Sequence, residues 1–192
     1  MNPQDVRLFL AINLPPEVRL EVVAATAMLR DCAPELAWVR EPHLHLTMKF
    51  LGDVAPDRLD GVVAETAAAA GRHRELLMNL GGIGAFPNFR RARIVWMGVA
   101  NDPRLELLHH DVELACERLG FEVEGRPFRP HLTLARVKHG LPEDRLRELS
   151  RTARRIDFRS EFIVRSLDLM RSELSQSGPT YTTVASAALR SD

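Results

Sequence analysis

Two short runs share one pattern: His45-Leu46-Thr47-Met48 and His131-Leu132-Thr133-Leu134. Arginine and proline stand upstream of each, Arg40 and Pro42 before the first, Arg126, Pro127 and Pro130 before the second. Helix-forming sequence precedes both. Such a repeat implies a duplicated βαβ-like unit. Side chains on a strand alternate between faces, so His45 and Thr47 share one face while Leu46 and Met48 take the other, and likewise in the second copy. The leucine faces must be buried. The chain is therefore expected to form two lobes related by a pseudo-twofold, with both His/Thr faces lining one cleft between them.

The rest of the chain fits an α+β fold with mixed or antiparallel sheets and helices outside. Strands are read at 6–13, 36–40, 44–51, 76–80, 93–100, 121–124, 131–137, 161–171 and 181–189. Helices are read at 16–31, 56–72, 103–119 and 142–155, and the glycine-rich stretch 81–87 as a loop. Several neighbouring strands are joined by short turns, which favours antiparallel pairing over a doubly wound parallel sheet. No linker rich in Gly, Ser or Pro divides the chain, so residues 1–192 are expected to form a single bilobal domain.

Composition excludes several classes. Acidic and basic residues balance at 26 each, which argues against a bulk polyanion binder but allows a local basic patch. The apolar run near the N-terminus is too short for a signal sequence or a membrane span. Cys32 and Cys116 read as free thiols of a reducing compartment. The protein is expected to be cytoplasmic.

Two imidazoles and two hydroxyls in one cleft suit transfer at phosphorus. One histidine acts as base on water and the other as acid on the leaving oxygen, near neutral pH. Thr47 and Thr133 donate to non-bridging oxygens as charge develops. No metal-ligand set is needed, and neither a metal nor a cofactor is expected. Arg136 offers a fork of donors for phosphate. It lies five residues after His131, however, so strict alternation turns it away unless a bulge or strand end near Ala135 turns it back. Phe9, Phe50 and Tyr181 are candidates either to stack on a terminal base or simply to pack. His43 has the strand parity of His45, yet only His45 is followed by Leu-Thr. His109 and His110 share a helix with Glu113 but find no third ligand, so a solvated face is expected there, and His73 and His139 are expected to be exposed. Gly81-Gly82-x-Gly84 lacks the rest of a phosphate-binding loop.

The segments Arg7–Ile12, Trp38-Val39-Arg40, His45-Leu46-Thr47-Met48-Lys49-Phe50-Leu51-Gly52 and Arg126-Pro127-Phe128-Arg129-Pro130-His131-Leu132-Thr133-Leu134-Ala135-Arg136 resemble the LigT-like RNA 2′,3′-cyclic phosphodiesterases of the two-histidine phosphoesterase superfamily. Phe86-Pro87, Val95-Trp96 and Gly178-Pro179-x-Tyr181 fit the same pattern, and the likeness spans nearly the whole chain. Met48 stands where leucine is usual. The resemblance implies a bilobal fold and hydrolysis of RNA 2′,3′-cyclic phosphate ends, tRNA fragments among them, to 2′-phosphomonoesters by a monomeric enzyme. It assigns the proton donor to His45 and the proton acceptor to His131. The alternatives are a phosphodiesterase for small cyclic nucleotides and an RNA-end binding or 2′-5′ ligating protein.

Overall fold

The computed structural model describes residues 5–138, 140–175 and 178–191, so the expectation for His139 lies outside the described residues. In chain order the elements are β1 (Val6–Asn13), α1 (Pro16–Ala25), α2 (Ala27–Cys32), β2 (Ala37–Trp38), β3 (His45–Val54), α3 (Leu59–Ala70), β4 (Leu76–Phe86), β5 (Ile94–Val99), α4 (Pro103–Arg118), β6 (His131–Arg136), α5 (Glu143–Arg155), β7 (Arg159–Val164), β8 (Ser166–Ser175) and β9 (Gly178–Ala188). The strands join in one curled sheet of order β7-β4-β5-β6-β3-β1-β8-β9, with β2 beside β6. Every pairing between these strands is antiparallel.

The order reads symmetrically about β6 and β3, the two strands that carry the repeat. Each is flanked by the long strand that comes before it in the chain: β5 beside β6, β1 beside β3. The helix between them crosses over. Helices α1 and α2 follow β1 but pack against β7 and α5, whereas α4 follows β5 but packs against α3 and β3. The repeated unit is thus strand–helix–strand with antiparallel strands, each helix lent to the other half.

One face of the sheet holds the core. Leu8, Leu10, Ile12, Leu46, Met48, Met97, Leu132 and Leu134 pack with Val18, Val22, Leu29, Val62, Leu108 and Leu149 from the helices in one continuous cluster. The other face is open and carries a small cluster, Phe9, Ala11 and Met170 against Tyr181. Helix sequences match this one-sided demand. On α4 the buried Leu105, Leu108, Val112 and Cys116 recur at helical spacing. The Asp102 side chain accepts from the Arg104 amide and Pro103 opens the first turn. On α5, Glu143 and Asp144 begin the helix and Arg154 and Arg155 end it, complementing its dipole.

Several sequence expectations need correction. The segment 16–31 is two helices, because Thr26 is buried and its hydroxyl shares the Val22 carbonyl with its own amide. Residues 81–86 are not a loop but the second half of β4, bonded to β5. Residues 121–124 form no strand. Side chains satisfy their backbone instead: Lys49 Nζ donates to the Glu122 carbonyl and the Glu124 amide donates to Glu113. The run 161–171 is two strands broken at Arg165. Gly52, expected to end its strand, lies within β3 at φ +72°, a conformation that glycine adopts without strain. His73 is buried, its Nε2 2.8 Å from Asp111, and His109 is largely covered rather than solvated. Cys116 is buried, which pushes its thiol up to about 11, and Cys32 is free as expected.

Candidate active site

The two copies of the motif meet at one backbone pair, Leu46 opposite Leu132. In the antiparallel register about this pair, each strand's histidine stands alongside the other strand's threonine. His45, Thr47, His131 and Thr133 are all partly buried on the open face, while the leucines between them are fully buried. The alternation read from the sequence therefore holds at both copies.

Each imidazole is held in the same way. His45 Nδ1–H donates to the His43 carbonyl at 2.8 Å, and His131 Nδ1–H to the Arg129 carbonyl at 2.7 Å. In both cases the acceptor lies two residues upstream. Fixing the proton on Nδ1 makes Nε2 the nitrogen that can take or give a proton. The Thr47 hydroxyl lies 3.1 Å from His45 Nε2 and donates to it. Burial lowers the His45 pKa to about 4, with further lowering by His43 and Arg136 and partial compensation from the carbonyl. Burial also lowers His131, again with a contribution from Arg136. Both rings are therefore neutral at pH 7 in the free protein.

Arg136 reaches the open face by a bulge. Between β5 and β6 the register slips so that Val95 faces Ala135 and Trp96 faces Thr133, leaving Leu134 as the extra residue. The same slip occurs between β1 and β3, where Leu10 faces Lys49 and Ala11 faces Thr47. After each bulge the fifth residue beyond the histidine turns onto the His/Thr face. Those residues are Phe50 and Arg136. Phe50 is 65 % exposed, an aromatic group where its symmetry mate is a cation. Arg136 is also exposed, and it is close enough to both histidines to lower their pKa values.

Aromatic rings wall each histidine. Phe9 and Tyr181 stand 5.0 and 5.3 Å from the His45 ring, and Phe50 lies 6.1 Å from Phe9. The sequence had proposed these three. It missed Phe86 and Trp96, which flank His131 at 4.9 and 6.4 Å. Strand pairing is the signal that finds Trp96, since it faces Thr133. Its indole lies against Gly84, where a Cβ would come within 2.1 Å of the ring. His43 does not lie on β3 with His45 and Thr47. It closes a short 3-10 turn, Glu41–His43, with its ring 4.9 Å from Tyr181. Beyond Gly98, the cross-strand neighbour of His131, an open hollow of about 710 Å³ is lined by Gly81, Gly82, Gly98, Asp157 and Arg159 among others. Among the described residues, no group of three or more His, Cys, Asp or Glu side chains is placed to hold a metal ion.

A curled antiparallel sheet, helices on one face and paired His-x-Thr strands at the centre of the other, defines a two-histidine phosphoesterase fold. The chain belongs to the 2′-5′ RNA ligase superfamily, whose family model matches residues 14–176. It is 34% identical over 180 residues to an RNA 2′,3′-cyclic phosphodiesterase of Methanothermobacter thermautotrophicus, covering 92% of this chain and 95% of that protein. A protein from Thermus thermophilus superposes with a TM-score of 0.79 at 29% identity, covering 97% and 99% of the two chains. LigT of E. coli, solved with 3′-AMP, superposes at 0.73 with 26% identity, covering 96% and 98%.

Proposed function

We propose that this protein hydrolyses RNA 2′,3′-cyclic phosphate ends to 2′-phosphomonoesters, using two histidines and no metal or cofactor. The observation that carries this reading is the matched pair of imidazoles. Each has its Nδ1 proton tied to the carbonyl two residues upstream and its Nε2 left for proton transfer, on one face of two paired strands. Relatives named RNA 2′,3′-cyclic phosphodiesterase support the substrate class. In this reading His131 Nε2 takes a proton from water as the water oxygen bonds to phosphorus. The bond from phosphorus to the 3′ oxygen breaks, and His45, protonated in the complex, gives that oxygen its proton. Thr47, Thr133 and Arg136 hold the non-bridging oxygens. Phe9, Phe50 and Tyr181 form the surface for the terminal nucleoside.

The free protein holds both rings neutral, so the acid must gain its proton with the substrate. A phosphodiester anion between the imidazoles favours their charged forms and raises both pKa values. Residues 1–192 act as one bilobal domain, as a monomer in the cytoplasm; among the described residues no helix is long and apolar enough to cross a membrane.

The test is turnover of a short RNA ending in a 2′,3′-cyclic phosphate, with EDTA present and the product read by phosphorus NMR. The expected product is the 2′-phosphate alone, at undiminished rate. A 3′-phosphate or an equal mixture overturns the donor assignment. Activity that vanishes on chelation and returns with one divalent ion overturns the two-imidazole mechanism.

A further inference from the structure

A group of buried polar side chains behind β3 takes no part in the proton transfers. Lys49 and Glu113 form a buried ion pair at 2.7 Å. Lys49 also donates to the Glu122 carbonyl, and Glu113 Oε2 accepts from the Glu124 amide at 3.0 Å. Glu113 Oε1 is buried without a hydrogen-bond partner and faces His109 Nε2 at 3.8 Å. The His109 ring lies flat on Phe128, with centroids 3.9 Å apart and planes within 14°. The next residue is Arg129, whose carbonyl holds the Nδ1 proton of His131.

The two halves differ here in a way that gives this chain of contacts a purpose. The carbonyl that holds His45 belongs to His43, at the end of a 3-10 turn closed by bonds from the His43 amide to Arg40 and from the Leu44 amide to Glu41. That turn carries its own backbone bonds, and Arg19 on α1 pairs with its Glu41 at 2.7 Å. The carbonyl that holds His131 lies in the segment 121–130, which has neither helix nor strand. That segment is held from elsewhere: the side chains of Lys49 and Glu113 bond Glu122 and Glu124, and the Val99 amide donates to the Pro130 carbonyl at 3.3 Å. Burial lowers the His109 pKa, so the ring is neutral at pH 7, and it touches that segment through its stack on Phe128, the residue before Arg129.

We propose that His109 is a positioning residue for His131: by stacking on Phe128 it sets the Arg129 carbonyl, and so the tautomer and aim of the catalytic ring. This rests on the reading of His131 as a catalytic base, but its first test does not. Long-range proton–nitrogen NMR of the histidine-labelled protein reports which ring nitrogen carries the proton, whether or not any substrate turns over. In the native protein His131 should be protonated on Nδ1. In His109→Ala its signals should move toward a mixture of tautomers, while those of His45 stay fixed. On the cyclic-phosphate RNA, kcat should fall between roughly 10- and 100-fold, the scale of a misaimed catalytic group, with KM little changed. His109→Phe restores a flat ring without a nitrogen and should recover both the tautomer and most of kcat. An unmoved His131 in His109→Ala overturns the proposal. So do equal shifts at His45 and His131, which would report general loosening, and a His109→Phe variant that behaves like the alanine.

Discussion

At the scale of single residues, the two histidines are chemically alike, and the proposed reaction needs them in opposite protonation states in one turnover. Removing either should cost roughly 10²–10⁴-fold in kcat. Because they act as a unit, the double alanine variant should lose far less than the product of the two single losses. Single-turnover rates on a cyclic-phosphate dinucleotide check this. The pH dependence follows from the lowered pKa values. Free His45 titrates at about 4 and His131 below its ordinary value, so the form with one proton on the pair becomes scarcer as pH rises through neutrality. The kcat/KM profile should therefore peak on the acid side of 6.5 and fall above it. In the complex the bound anion raises both pKa values, so the kcat profile should peak at higher pH than kcat/KM; coincident or reversed maxima would contradict this. Both limbs belong to the coupled pair rather than to one ring. Arg136→Lys keeps the charge and loses the fork, so it should be impaired but less than Arg136→Ala. The comparison is made by KM and kcat on the same substrate, and normal values for both variants would remove Arg136 from the site.

Among the elements, the matched bulges in β3 and β6 decide what the cleft contains. Periodicity placed His45, Thr47, His131 and Thr133 on one face, and it could not place Phe50 or Arg136. A bulge depends on how the neighbouring strand pairs, here Leu10 with Lys49 and Val95 with Ala135, and β1 and β5 lie far from the bulged residues in sequence. The bulge in β3 also turns Lys49 inward, to meet Glu113 on α4. Breaking a buried pair leaves an uncompensated charge, so Lys49→Met should destabilise the protein by about 3–5 kcal/mol. Adding Glu113→Leu should recover part of that loss, because the orphaned carboxylate is gone. Urea unfolding of the two variants decides it, and a double variant less stable than Lys49→Met alone would refute the argument. The same ion pair explains why residues 121–124 are not a strand despite their pattern, since side-chain bonds from Lys49 and Glu113 occupy backbone groups that a ladder would use.

For the molecule as a whole, the exchange of helices between halves matters most. Helices α1 and α2 cover the half built on β4–β7, and α4 covers the half built on β1, β3, β8 and β9. Neither half can bury its sheet alone. A fragment of residues 1–88 holds β1 and β3 without α4, β8 or β9, so it should be largely unfolded by circular dichroism, and mixing it with 89–192 should restore helix content; a folded, monomeric fragment would show that β1 and β3 do not need the elements that follow. The sequence by itself determined the duplication, the α+β class and the identity of the four central side chains, because alternation and repetition are local properties that a chain displays residue by residue. It also offered Arg136 as a candidate to hold phosphate and left its direction to a bulge. Only the tertiary structure decided that the halves share one sheet and trade helices, that Phe50 and Arg136 are symmetry mates at the cleft, that Phe86 and Trp96 wall His131, and that His109 stands behind it. Each of these depends on contacts between segments distant in the chain, whose register and packing are set by the burial of a common core rather than by any local pattern.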